Sequence, residues 1–473
     1  MISRFASTVS AVVKGIFARQ IGGAKSMNPK IEHVVVLALE NRSFDHLLGY
    51  LRDQDPRIDG PTGVEFNYAD PSTHAGKTLV SSDAPYVPDV DPGPSHEFHD
   101  VMLQLFMQFR VPARLPPGVT NMGFMYDYAK VSHDIAHAAR VMQCFGADRL
   151  PALHTLAREF AICDHWFSSL PGPTWPNRFF IHCATSGGYV DNTLRDYPMR
   201  TIFQNLSAKG VNWRVYYHDV PQSLALLNQR QYVSRMYERF EDAFVRDCRD
   251  GRLPQYSFIE PRYFNEGSDR ANDQHPIHGV VLGDQLIADV YEAMRASPNW
   301  ETSLLLITWD EHGGFYDHVL PPATVNPDGK SAPEFDFTRL GVRVPTVVIS
   351  PYVEKATVDH AVYDHSSICA TLKKLFDLPD FLTKRDAGAN TFDALLTRSA
   401  PRADAPTVLP RLTDPALIPA ADPSEVPPTE MHSSLLALAE SLGGEPDSAK
   451  PPYSELEAAQ RAKAGIARFT ARA

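Results

Sequence analysis

The apolar positions of the chain follow two rhythms. IEHVVVLAL (residues 31–39) is a nearly unbroken apolar run, rich in valine and closed by a polar cluster. That is the pattern of a strand buried on both faces of a parallel sheet. SLLLITW (303–309) and VRVPTVVIS (342–350) read the same way, and FAICDHWF (160–167), VNWRVYY (211–217) and YSFIE (256–260) are weaker versions. Between them the period lengthens. DQLIADVYEAMRAS (284–297) puts Leu286, Ile287, Val290 and Met294 on one helical face, and SSICATLKKLF (366–376) does so with Ile368, Leu372 and Leu375. Strands alternating with helices predict an α/β fold, an α/β/α sandwich around a mostly parallel central sheet.

Two stretches break this pattern. Residues 51–100 are rich in proline, aspartate and glycine, as expected of a long surface excursion or an inserted cap. After about residue 400, PRADAPTVLPRL and ALIPAADPSEVPPTE are proline-rich and predict an extended linker, followed by an amphipathic helix over SELEAAQRAKAGIARFTARA. The chain therefore divides into a leader (1–27), a catalytic domain (28–400) and a proline-rich linker with a helical C-terminal extension (401–473), the last expected to be peripheral to the chemistry. The leader carries Arg4, Lys14, Arg19 and Lys25 and no acidic residue. Lys14 interrupts the apolar run that a secretory signal needs. The segment thus reads as a disordered or amphipathic leader, which favours a cytoplasmic setting and leaves a secreted or periplasmic one open.

Composition narrows the function classes. Of 473 residues, 43% are hydrophobic, enough for a large core, and 22% are charged, too few for a disordered chain. A net charge of -12 argues against a nucleic-acid partner, which selects for a basic face. The five scattered cysteines include no C-x-x-C pair and predict no disulfide framework.

The polar residues that end the strand-like runs carry the chemistry. Glu40 and Asn41 follow the first run, Asp310 and Glu311 follow SLLLITW, Glu260 ends YSFIE, and Asp164 ends FAIC. In an open parallel sheet such residues collect in the crevice beyond the strand carboxyl ends. Crowded carboxylates need a positive partner, and a hard divalent cation is the simplest one. Helix capping accounts for one or two of them, but not for pairs at several strand ends. In GPTWPNRFFIHCA (172–184) a helix is expected from near Pro176, which leaves Thr174 among free backbone N–H groups suited to a phosphate. A threonine hydroxyl held there beside a metal is a nucleophile, although an isolated T-x-P would more simply be an N-cap. Histidines recur at element ends, among them His96, His275, His278, His312, His318 and His365. They can serve as proton donors or phosphate ligands.

ENRSFDHLLGYL (40–51), PGPTWPNR (171–178), FIEPRY (258–263), NDQHP (272–276), DEHGGFYDHV (310–319) and HSS (365–367) together resemble the signature segments of the family of nonspecific phospholipases C and related acid phosphatases. The resemblance spans roughly residues 31–380. It implies a fold of the alkaline phosphatase superfamily, with Glu40, Asn41, Asp310 and Glu311 as metal ligands. It implies Thr174 as nucleophile, where some acid phosphatases have serine, and His96, His275 and His312, with His278 and His365, around the phosphate. The chain lacks the twin-arginine export signal of many bacterial members. The expected reaction is a double displacement through phosphothreonine, releasing diacylglycerol and a phosphorylated head group from a phospholipid. An acid phosphatase acting on soluble phosphomonoesters is the alternative, and a non-catalytic binding protein is disfavoured by the intact Thr174 and metal positions. The oxygen-rich ligand set favours calcium or magnesium and leaves manganese or zinc open. VMLQLFMQFRVPARL (101–115) reads equally as apolar surface for transient membrane contact or as an ordinary core helix. Oligomeric state leaves no mark in the sequence.

Overall fold

The computed structural model describes residues 31–87, 90–112, 120–418, 421–444 and 451–472, so the leader lies outside the described residues. The main sheet has eight strands: His33–Leu39 (β1), Ala161–Cys163 (β2), Trp213–Tyr217 (β3), Tyr237–Arg239 (β4), Tyr256–Glu260 (β5), Ser303–Trp309 (β6), Thr346–Ile349 (β7) and Thr357–Asp359 (β8). Their spatial order is β8-β2-β7-β6-β1-β5-β3-β4. β1 is central, parallel to β5 on one side and to β6 on the other, and Val34–Leu39 are fully buried. All six runs read from the sequence enter this sheet, and β4 and β8 join it at the edges. One reading changes: β7 runs antiparallel to both β6 and β2. Its unbroken apolar character reports burial on two faces, which is indifferent to direction.

The helices that shape the site and its surroundings are Phe98–Phe106 (α1), Thr174–Cys183 (α2), Val281–Arg295 (α3), Ser366–Leu375 (α4), Glu430–Gly443 (α5) and Glu455–Arg472 (α6). α3 packs with Pro151–Glu159 and Phe240–Arg249, while α2 packs with Ile202–Lys209 and α4, so helices flank the sheet as the α/β reading requires.

The C-terminal segment departs from the expected linker. Its proline-rich part runs along α3, where side chains satisfy its backbone: Gln285 Nε2 donates to Leu412 O at 2.6 Å, Tyr291 Oη to Pro406 O at 2.6 Å, and Glu292 Oε1 accepts from Leu409 N at 2.8 Å. α5 and α6 then cross at close range, where a Cβ on Gly465 would lie 2.3 Å from Ala439 O. Leu435, Leu438, Ala458 and Ala462 join the main hydrophobic core. Proline composition gave the extended path but carries no information on the surface it follows.

Candidate active site

The parallel register assembles the carboxylates. Leu39 pairs with Trp309, so the next residues, Glu40 and Asp310, emerge side by side at the strand ends. Asn41 has φ 57°, and its N–H donates to Asp310 Oδ1 at 3.1 Å. Gly313 crosses so close that a Cβ there would sit 2.4 Å from Asn41 O, which brings Glu311 back toward Asn41. All four residues are fully buried. Asn41 Oδ1, Asp310 Oδ2 and Glu311 Oε1 have no hydrogen-bond partner among the described residues. Orphaned buried oxygens from three adjacent residues fit a cation that accepts oxygen ligands.

Thr174 is the first residue of α2, with Pro173 at the N-cap position and no side-chain cap, so the helix starts two residues before Pro176. Asn177 holds the turn: its Oδ1 accepts from Ser169 N at 2.9 Å and Leu170 N at 3.1 Å, and its Nδ2 donates to Gly172 O at 2.8 Å. Thr174 Oγ1 donates to Glu40 Oε2 at 3.4 Å. Sequence reasoning missed Arg178, one turn along the same face. It is 2.7 Å from Glu40 Oε1 and 3.5 Å from Asp310 Oδ2. Its position in TWPNR, four residues after Thr174, was the available signal. Gln222 Nε2 also donates to Glu40 Oε1, at 2.7 Å. Burial raises the Glu40 carboxyl well above its ordinary range, and Arg178 works against that rise.

The histidines separate into two groups. His96 Nε2 lies 3.2 Å from Asn41 Nδ2 and 3.8 Å from Glu311 Oε1, and its ring meets that of His275 edge to face at 5.9 Å. Burial alone would lower the His96 pKa, but Glu311 and the Pro94 carbonyl raise it to about 9. Burial instead pushes His275 well below its ordinary value. His365 Nε2 donates to Asp310 O at 2.6 Å, and His312 Nε2 lies 2.8 Å from Gln104 Oε1. His278 is placed apart from these. It turns to Asp273 Oδ1 at 2.7 Å and Glu455 Oε1 at 3.4 Å, joining the loop to α6. Its effect on the site runs through the Asp273 backbone, whose carbonyl accepts from Glu40 N at 2.9 Å.

This ion pair has a defined pH window. Burial would lower His278, but Asp273 and Glu455 raise it from 6.5 to about 10. Burial would raise Glu455, but His278 brings it from 4.5 to about 2. A raised histidine stabilises fully below its unfolded pKa, and a depressed carboxylate does so above its own. The contribution is therefore complete between 4.5 and 6.5, and fades as pH rises toward about 10 or falls toward about 2. Glu455→Gln is expected to lower Tm most at about pH 5.5 and less at about pH 9. A Tm difference that does not change with pH would contradict this pairing.

Two acids expected in the crevice serve elsewhere. Glu260 pairs two positions below the level of Glu40, since Leu37 aligns with Ile259, and it accepts from Gln222 N at 2.6 Å and Ser223 Oγ at 2.7 Å. Asp164 directly follows β2, three strands from β1, and accepts from Asp59 N at 2.8 Å. Capping and turn-binding explain both. Asp45, Asp317 and His318, also within the signature segments, close an ion network around the fully buried Arg343. They tie ENRSFDH to DEHGGFYDH.

A cavity of about 330 Å³ opens onto Thr174, Asn41, His96 and His275. Its far wall is Val426–Met431, so the C-terminal segment expected to be peripheral lines the site. The segment 101–115 resolves toward its core reading where described: Val101, Met102, Leu105 and Phe106 are buried, whereas Phe109 is 60% exposed. Residues 113–115 lie outside the described residues.

The profile of the Phosphoesterase family matches residues 31–379. Non-specific phospholipase C3 of Arabidopsis thaliana is 42% identical over 411 residues, 83% of this chain and 78% of its own length. Non-specific phospholipase C6 of the same plant is 40% identical over 446 residues, 89% and 83% of the two chains. Phospholipase C B of Mycobacterium tuberculosis is 29% identical over 427 residues, 78% of each.

Proposed function

The chain belongs to the Phosphoesterase family and is a hydrolase of phosphoric ester bonds; from that premise we propose that it is a metal-dependent phospholipase C with Thr174 as nucleophile. The observation that carries this reading is Thr174 Oγ1 at the start of a buried helix, 3.4 Å from Glu40 and facing a cavity that also holds Asn41. The named activities of the plant and mycobacterial relatives supply the substrate class, a phospholipid.

Glu40, Asn41, Asp310 and Glu311 would hold the cation, calcium or magnesium by the hardness of their oxygens. When bound, that ion supplies Lewis acidity and positive charge beside the Thr174 oxygen. Glu40 Oε2 is the acceptor nearest the hydroxyl proton. Thr174 Oγ1 attacks phosphorus in line, the bond from phosphorus to the glycerol oxygen breaks, and the head-group phosphate stays on Thr174. His96, drawn toward its charged form by Glu311, is placed to protonate the departing diacylglycerol oxygen. Water then displaces Thr174 and frees the phosphorylated head group. At the start of α2, where Trp175 N is committed to Asn192 Oδ1 at 2.9 Å and Pro176 has no N–H, the Thr174 N–H is the backbone donor beside the phosphoryl oxygens, and Arg178 offsets the charge of Glu40 next to them.

Phosphatidylcholine vesicles and p-nitrophenylphosphorylcholine are expected to be hydrolysed faster than p-nitrophenyl phosphate. The reverse order would make the chain a phosphomonoesterase. Exhaustive chelation is expected to abolish turnover, and one divalent ion to restore it. Full activity in protein shown by elemental analysis to be metal-free would end the metal reading. Asp310→Asn is expected to weaken the ion's affinity by more than the roughly 10- to 100-fold that loss of a residue supporting a ligand costs, with the fold intact.

A further inference from the structure

Gln104 lies on α1, 1% exposed, where it contributes nothing to apolar packing that leucine would not. Its amide is fully committed. Nε2 donates to Ser95 O at 2.8 Å and to Asp127 Oδ2 at 2.8 Å, and Oε1 faces His312 Nε2 at 2.8 Å. The Ser95 carbonyl accepts only, so the amide cannot turn over without setting two oxygens against each other. Gln104 Oε1 is therefore an acceptor, and His312 Nε2 must carry a hydrogen in every protonation state of the ring. The other ring nitrogen, Nδ1, points the opposite way and lies 3.4 Å from Glu311 Oε2. That carboxylate oxygen is itself held by Gly313 N at 2.7 Å.

We propose that Gln104 is a positioning residue that reserves the His312 Nε2 hydrogen and leaves Nδ1 as the single ring atom available to the metal centre at Glu311. The inference rests on the reading of Glu311 as a metal ligand. A ligand or proton acceptor beside a metal must present one defined nitrogen, and the bond made by the other nitrogen decides which it is. Asp127 completes the arrangement from the neighbouring helix, Phe124–Ser132, by fixing the donor side of the amide. The chain Asp127–Gln104–His312–Glu311 thus links two helices to the carboxylate cluster through their buried faces. It also gives the 101–115 segment a role that neither a membrane surface nor core filling accounts for.

The test is nitrogen-15 NMR of histidine-labelled holoenzyme, with the His312 signal identified by its loss in His312→Gln. In the wild type, Nε2 is expected to show the protonated shift. Gln104→Leu is expected to give a mixture of tautomers, weaker binding of the divalent ion, and a kcat lower by at least about tenfold with KM little changed. Gln104→Met is close in shape but has no oxygen to accept from His312 Nε2, so it is expected to fall in the same direction if Gln104→Leu does not fold. An unchanged tautomer in folded Gln104→Leu would overturn the proposal, as would a changed tautomer with unchanged ion affinity and kcat. If the wild type binds no divalent ion, the metal reading fails, while the tautomer measurement still reports on Gln104.

Discussion

Thr174→Ala is expected to bind substrate and metal normally while kcat falls on the order of 10⁴-fold or more, the scale seen when a covalent nucleophile is lost. The substitution removes the hydroxyl that contacts Glu40 Oε2 and leaves Arg178, Asn177 and the backbone of α2 in place. The turn is held by the Asn177 side chain, so its shape does not depend on Thr174. Thr174→Ser keeps an attacking oxygen and is expected to retain a measurable part of the activity. Acid quench of the wild type during turnover is expected to trap a phosphorylated Thr174, visible by mass spectrometry. If water attacked phosphorus directly and Thr174 served only to hydrogen-bond Glu40, Thr174→Ala would lose about 1–2 kcal/mol of stability and would still turn over.

Removal of residues beyond about 400 is expected to abolish hydrolysis even of a small soluble ester such as p-nitrophenylphosphorylcholine, by on the order of 10²-fold or more. The effect has two sources. Val426–Met431 form one wall of the cavity that Thr174 faces. Glu455 holds His278, which fixes Asp273, whose carbonyl receives the Glu40 N–H. Loss of the tail therefore exposes the cavity and loosens the strand end that carries the first acid. The truncated protein should be checked for folding by circular dichroism. A folded truncation with full activity would return the tail to the periphery.

The central sheet was legible because strands buried on both faces need unbroken apolar runs, and β1, β6 and β7 supply them. The direction of β7 was not, since burial leaves no mark of polarity along the chain. The carboxylate cluster was legible in outline from its position after β1 and β6. Which acids meet depends on register: Leu39 opposite Trp309 joins Glu40 to Asp310, whereas the two-residue offset of β5 drops Glu260 to the level of the Gln222 backbone. Arg178 and Gln104 were hidden for a different reason. A buried arginine or glutamine declares a role only once its partners are known. The tail was misjudged because proline content describes how a segment travels, and Val426, Pro427 and Pro428 acquire their meaning from the wall they complete.

The most direct test of covalent catalysis by Thr174 is the stereochemical course at phosphorus, measured on a phosphodiester substrate made chiral with oxygen isotopes and sulfur. Attack by Thr174 followed by attack of water comprises two in-line displacements, so the account predicts net retention of configuration. Net inversion would mean a single displacement by water and would contradict it.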